Sequence, residues 1–176
     1  MTEFETQKTM KLKMPEVAEM LLSSEKIEMY NRIAAFLREN KISAQWGSTN
    51  SFNLNFKGYR AGRITFGTNQ MHIVIGSAQR DKFDGYLEGQ TDEVKAMFFD
   101  TIKRKCTGCT RCAPGKSFAA GGKQYEHICF GGMGAHGFVY RNISDEHLQA
   151  VFALLAARTD YIIRALSQGI KPGTAY

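Results

Sequence analysis

The chain has 176 residues, 43% hydrophobic and 23% charged, with twelve Phe and seven Tyr. That is enough apolar surface for a folded core, so wholesale disorder is excluded and residues 1–176 are expected to form a single domain. No apolar run approaches a bilayer span and the opening MTEFETQKTMKLKMPEV is broken by charges, so no membrane contact is expected and the cytoplasm is the expected compartment.

Residues 1–14 are polar and expected to be poorly fixed. Met14-Pro15-Glu16 opens a helix, with Pro in its first turn and the apolar run Val17 to Leu22 behind it. A second helix follows Ser24. There Ile27, Tyr30, Ile33, Ala34 and Leu37 recur at helical spacing, Glu25 complements the start, and Arg38 and Lys41 complement the end near Asn40. From Ser43 the period drops to two. Phe52, Leu54 and Phe56, then Ile64 and Phe66, then Met71, Ile73 and Ile75 alternate with other residues, with turns at Lys57-Gly58 and Gly67-Thr68-Asn69. Strands this closely spaced leave no room for helical crossovers, which favours an antiparallel meander over a doubly wound parallel sheet.

Residues 79–88 carry Phe83, Tyr86 and Leu87 on a short helix, and Thr91 caps a better one that ends at Lys103, Arg104 and Lys105 and delivers the chain to Cys106. Tyr125 to Phe130 and Phe138 to Tyr140 read as strands joined by a Gly-rich stretch. The last helix starts at Ser144 and is expected to bury Leu148, Val151, Phe152, Leu155, Ile162, Ile163 and Leu166 before Gly169 and Pro172 end it. The predicted fold class is α+β, with helices covering one face of an antiparallel sheet and a cysteine-rich loop against the sheet's edge.

All four cysteines fall within residues 105–130, with Cys106, Cys109 and Cys112 at C-x2-C-x2-C spacing and Cys129 farther on. Cysteine is ordinarily scattered through a core as a small hydrophobe, so gathering every copy in one polar, Gly-rich window points to joint chemistry. In a reducing compartment that chemistry is metal binding more often than disulfide formation, although paired cystines remain the plain alternative. A four-cysteine zinc site needs four soft donors at tetrahedral angles, and a C-x2-C turn offers two sulfurs while a remote strand, here Cys129, supplies another. The same triple also suits an iron-sulfur cluster, but the ferredoxin continuation C-x3-C-P is absent. His127 or His136 could stand in for one sulfur.

The chain carries 23 Lys and Arg against 17 Asp and Glu, a net +6 that suits weak attraction to phosphates. Lys103, Arg104, Lys105, Arg111, Lys116 and Lys123 lie in or beside the window, where four thiolates on one divalent cation leave about −2. Those cations are expected to lower thiol pKa values and offset that charge.

Two nucleotide motifs fail on inspection. Gly115-Lys116-Ser117 lacks the phosphate loop's earlier glycine, Thr110 standing there, and Gly132-x-Gly134-x-x-Gly137 is followed by a strand pattern rather than a helix. Cys109 and Cys112 follow a helix C-terminus, opposite to what a reactive dithiol needs. Asp92 with Glu93 and Asp145 with Glu146 are explained by helix starts. No nucleophile, base and orienting group can be assembled, so a non-catalytic role is expected. Trp46, Phe52, Phe56, Tyr59 and Phe66 could line a small apolar concavity, but packing against the helices is the stronger reading.

The run from Lys105 through Cys112-Ala113-Pro114-Gly115-Lys116, then Gly122-Lys123-Gln124-Tyr125 and Cys129, resembles a C-terminal pattern in small proteins of anaerobic Gram-positive bacteria that are loosely similar to the YdhG/YjbR-like α+β group. The resemblance implies an α+β fold and a metal-binding knuckle, and it carries over no catalytic residues. The sequence therefore yields three expectations. The first is a binding or regulatory protein, for a small ligand or a protein partner, with structural zinc on Cys106, Cys109, Cys112 and Cys129. The second is an iron-sulfur redox or sensor protein on the same sulfurs. The third and less favoured is a zinc-knuckle nucleic-acid binder using Lys103 to Lys105 and Arg111.

Overall fold

The computed structural model describes residues 7, 9, 10, 12–76, 91, 92, 95, 96, 116–120, 122–128 and 137–172. They form an α+β fold: helices α1 (Met14–Leu21) and α2 (Ser24–Glu39), strands β1 (Ser43–Ser48), β2 (Ser51–Phe56), β3 (Tyr59–Gly67) and β4 (Gln70–Gly76), a hairpin of β5 (Lys116–Ala120) and β6 (Lys123–Ile128), then β7 (Gly137–Tyr140) and helix α3 (Asp145–Ser167). The main sheet has five strands in the order β1-β2-β3-β4-β7, every neighbouring pair antiparallel, and β5-β6 is a separate two-stranded ribbon.

The helix ends follow from local chemistry. At α1 the Glu16 carboxylate reaches back to accept the Lys13 amide at 2.6 Å, with Pro15 in the first turn where its missing N–H costs nothing. At α3 the His147 Nδ1 accepts the Ser144 amide at 3.2 Å and stands 2.8 Å from the Ser144 hydroxyl. Gly169, at φ 68, ends α3 in the left-handed conformation that glycine adopts without penalty. The β2–β3 turn has positive φ at both Lys57 (48) and Gly58 (80), the mirror-image geometry that matches strand twist. Asn69 ties that sheet to the helices, its amide donating to the Leu21 carbonyl at 2.7 Å and its Oδ1 accepting the Ser23 amide at 3.1 Å.

One face of the sheet is the core. Phe52, Leu54, Ile64, Phe66, Met71, Ile73 and Ile75 point inward and join Val17, Tyr30, Ile33, Leu37, Leu148, Val151, Leu155 and Ile162 of the helices in one cluster. Phe36 and Phe152 stack at 4.4 Å between ring centroids and join α2 to α3. Tyr30 and Phe52 both meet Phe66 edge to face. Trp46 and Tyr59 are half-buried against the same cluster, so the expected packing of the aromatics on the helices holds for these rings. Burying this much apolar surface, at about 25 cal/mol per Å², is what offsets the entropy of ordering the chain.

Several expectations need correcting. Ile163 is 44% exposed rather than buried, because it follows Ile162 by one residue and is turned about 100° away from the stripe that faces the sheet. Within the stretch expected to be poorly fixed, Gln7 is 1% exposed, accepting the Asn50 amide at 2.7 Å and donating to the Asn50 side chain. The window expected to be a loop contains a strand, β5, that its polar composition did not announce. β6 begins at Lys123 rather than Tyr125. The expected short helix at residues 79–88 lies outside the described residues; of the next one, Asp92, Lys95 and Ala96 are helical, and the Lys95 amide donates to the Thr91 carbonyl at 3.0 Å.

Gly62 shows how tightly the central strands approach. A Cβ there would stand 2.6 Å from the Val74 carbonyl oxygen, a backbone atom of a paired strand that cannot step aside. Gly62→Ala is expected to cost about 1–3 kcal/mol by overpacking, read as a lower urea midpoint. Gly67→Ala, where the nearest neighbour would be Gln70 Cβ at 3.5 Å, is the matched control and should stay within about 0.5 kcal/mol.

Candidate functional site

The four predicted metal ligands, Cys106, Cys109, Cys112 and Cys129, lie outside the described residues, as does His136; His127 is described only as a position on β6. The described backbone does fix where the cysteine segments attach. Lys116 pairs with Ile128 at one end of the β5-β6 ribbon, and Ala120 pairs with Lys123 at the other. Cys129 directly follows Ile128, within one Cα step of about 3.8 Å, and Cys112 lies a few residues ahead of Lys116. The triple and the lone cysteine are thus tethered to the same end of one ribbon.

That register also sorts the nearby cations. Lys116 is at the tethered end. Lys123 is exposed at the turn end, beside Gly122 at φ 71. The length of β6, at about 3.3 Å per residue, puts it roughly 16 Å from Ile128, beyond the distance over which an exposed charge acts in physiological salt. Of the two ribbon lysines, Lys116 is thus the one at the end to which the cysteine segments attach.

The whole segment 77–136 is an excursion from the main sheet. Gly76 pairs directly with Gly137, so the chain leaves and returns at adjacent points, as in a hairpin with a very long connection. Closing such a connection becomes only slowly dearer with length, by about 0.6 kcal/mol per doubling, so the sheet tolerates it. Ala96 of this segment packs against the core.

Three further groups stand out, with roles that the sequence pattern does not announce. Arg158 of α3 is 0% exposed, and its guanidinium donates from Nε (3.3 Å) and Nη2 (3.1 Å) to the Arg60 carbonyl while lying 5.2 Å from the Tyr161 ring. Arg60 borders the register shift at which Leu54 pairs with Gly62 and Asn55 with Arg60. A bulge of this kind turns a carbonyl out of the ladder, and here the buried cation accommodates it. The Tyr30 hydroxyl is buried with no hydrogen-bond partner among the described residues, and its pKa is pushed up to about 12, first by burial and then by the Glu19 carboxylate.

His72, on β4, is the third. Its Nδ1 accepts the Asn142 amide at 2.8 Å, which requires the neutral ring with its proton on Nε2. The bond holds the junction between β7 and α3, where Asn142 has φ 47, the Ile143 amide donates to the Met71 carbonyl at 2.8 Å, and Lys26 Nζ donates to the Ile143 carbonyl at 2.8 Å. Burial, and next the Arg141 charge, hold the His72 pKa below its ordinary 6.5. The unfolded chain thus binds the proton more readily than the folded one. The stability from neutral His72 is present above about pH 6.5 and is lost as the pH falls through the lower folded value. Asn142 amide exchange is expected to accelerate, relative to the intrinsic rate, between pH 7.5 and 5. His72→Gln should flatten that dependence, and a flat wild-type profile would show that the ring does not carry it.

Among the described residues no group of His, Cys, Asp and Glu could hold a metal, and no helix is long and apolar enough to cross a membrane. The molecule is defined by its α+β platform with a cysteine-bearing excursion closed at Gly76 and Gly137. No family model, curated protein or solved structure matches the chain.

Proposed function

We propose that this chain is a non-catalytic binding protein in which a structural zinc ion on Cys106, Cys109, Cys112 and Cys129 staples the excursion 77–136. The observation that carries the reading is the register of the ribbon, since Lys116 opposite Ile128 tethers the C-x2-C-x2-C run and Cys129 to a common end. An isolated two-stranded ribbon is marginally stable in water, and a closed four-thiolate site at its base is the kind of cross-link that compensates. Four sulfurs fill a tetrahedral zinc, leaving no open position for substrate, which agrees with a structural rather than catalytic ion.

Elemental analysis of anaerobically purified protein tests this. One zinc per chain in a colourless preparation is the expected result. Brown protein containing iron and sulfide would replace zinc with a cluster on the same sulfurs, and metal-free protein with two disulfides by mass would remove the metal altogether.

A further inference from the structure

The face of the main sheet opposite the core is built from a different alphabet. The register aligns Gln45, Asn53 and Arg63 in one cross-strand row and Ser43, Asn55 and Arg60 in the next. These side chains touch laterally, Asn55 Nδ2 donating to Gln45 Oε1 at 3.0 Å and Arg63 Nε to Asn53 Oδ1 at 3.3 Å, while Ser51 and Thr65 hydroxyls meet at 2.9 Å beside them. The buried residues of α1 and α2, and Leu148, Ala150, Val151, Leu154, Leu155 and Ile162 of α3, belong to the cluster on the other face.

Charge is sorted between the two sides. From Asn40 to Arg80 there is no Asp or Glu, and Lys41, Lys57, Arg60, Arg63 and Arg80 fall in that span. None of the five main-sheet strands contains a carboxylate. Apart from Glu126 on the separate β5-β6 ribbon, the carboxylates of the described residues lie on helices, at Glu16 and Glu19 of α1, Glu25, Glu28 and Glu39 of α2, and Asp145, Glu146 and Asp160 of α3 among them. A net +6 spread evenly would say little, but the main sheet carries only cations while α1 is net negative, α2 is balanced by Lys26, Arg32 and Arg38, and α3 sets three carboxylates against Arg158 and Arg164, so the positive charge is biased toward the sheet.

We propose that this sheet face binds single-stranded nucleic acid, with Arg60 and Arg63 on phosphates and Asn53, Asn55 and Gln45 offering amide edges to bases. Amide and guanidinium groups on a flat sheet suit unpaired base edges and backbone better than a duplex groove, which calls for a protruding helix or ribbon. Trp46 is opposite Phe52 and so belongs to the core side, leaving no aromatic on these two rows to stack a base. Binding is therefore dominated by phosphates, salt-dependent and in the range of about 10⁻⁴–10⁻⁶ M. Among the described residues, the exposed large hydrophobics Met10, Met20, Ile163 and Ile170 are all outside this sheet, which argues against a lipid surface as the occupant. The inference deepens the binding reading by naming the partner class, and it does not depend on the metal.

The test is fluorescence anisotropy of a labelled 20-nucleotide single-stranded RNA and its DNA counterpart, titrated with the full chain at salt from 50 to 200 mM. The wild type should bind saturably, and Arg60→Gln with Arg63→Gln should weaken binding about tenfold and flatten the log–log salt slope by about 1.4. Arg60→Lys with Arg63→Lys should keep the slope, and the helix-side pair Arg38→Gln with Arg164→Gln should leave affinity unchanged. Thermal unfolding of each variant guards against misfolding. The proposal is overturned if neither oligonucleotide binds at 50 mM salt, or if the helix-side pair costs as much as the sheet pair. It also fails if only Lys103→Gln with Arg104→Gln and Lys105→Gln abolishes binding, or if anionic vesicles bind while the oligonucleotides do not. Zinc content, measured on the same samples, tests the metal separately.

Discussion

Arg158→Ala is expected to lower the unfolding free energy by about 3–5 kcal/mol, through loss of buried packing and of the charged donor to a carbonyl turned out of the ladder. For a fold whose total stability is about 5–15 kcal/mol this is a severe loss, so the comparison should include milder variants. Arg158→Lys keeps the charge but replaces a planar fork by a single donor centre. It cannot place two N–H groups on the Arg60 carbonyl as Nε and Nη2 do at 3.3 and 3.1 Å, and it should fall between the wild type and Ala. Arg158→Met fills the space without the donor, and separates packing from hydrogen bonding. Urea unfolding of the three variants gives the order Lys, Met, Ala from least to most destabilised. A loss under 1 kcal/mol for Ala would show that the guanidinium is not a structural support.

Removing the proposed zinc is the second large effect. Structural zinc sites in small modules contribute about 10–16 kcal/mol of apparent binding energy at neutral pH, far more than a two-stranded ribbon can supply by itself. Stripping the metal with a chelator, or Cys129→Ser, is therefore expected to abolish exchange protection along Lys116–Ala120 and Lys123–Ile128. The main sheet should keep its protection, because β1 to β4 and β7 are hydrogen-bonded to one another and β2, β3 and β4 share their core with the three helices. Ribbon amides that stay protected after metal removal would show that the hairpin needs no staple.

The legible part of this fold is the part governed by period. Phe52, Leu54 and Phe56, or Met71, Ile73 and Ile75, alternate because one side of the sheet is dry, and that constraint is written residue by residue. β5 carries no such mark. Its sequence KSFAA becomes a strand through pairing with β6, which local composition cannot announce. Arg158 was readable and missed. Leu148, Val151, Leu155 and Ile162 step along α3 by threes and fours, and Arg158 occupies the missing step; a charge on an apolar stripe marks a buried polar contact. His72 could be placed on the outward-facing side of β4, but its bond to the Asn142 amide joins residues far apart in sequence and had no local trace. Gln7 was misjudged for a similar reason, its amide being held by a turn that folds back from Asn50. Of the candidate site, the ligand set rests on sequence, and the structure adds the attachment of its two halves.

The pairing of Gly76 with Gly137 bears on how such a protein can change over time. Those positions are close enough for a two-residue turn to connect, so strand alignment in the main sheet places no demand on the size of what lies between them. Insertions or shortening within 77–136, away from Ala96 that packs on the core, leave the framework's hydrogen-bond ladder in place. The excursion can therefore diversify its chemistry while the sheet that carries it is inherited unchanged.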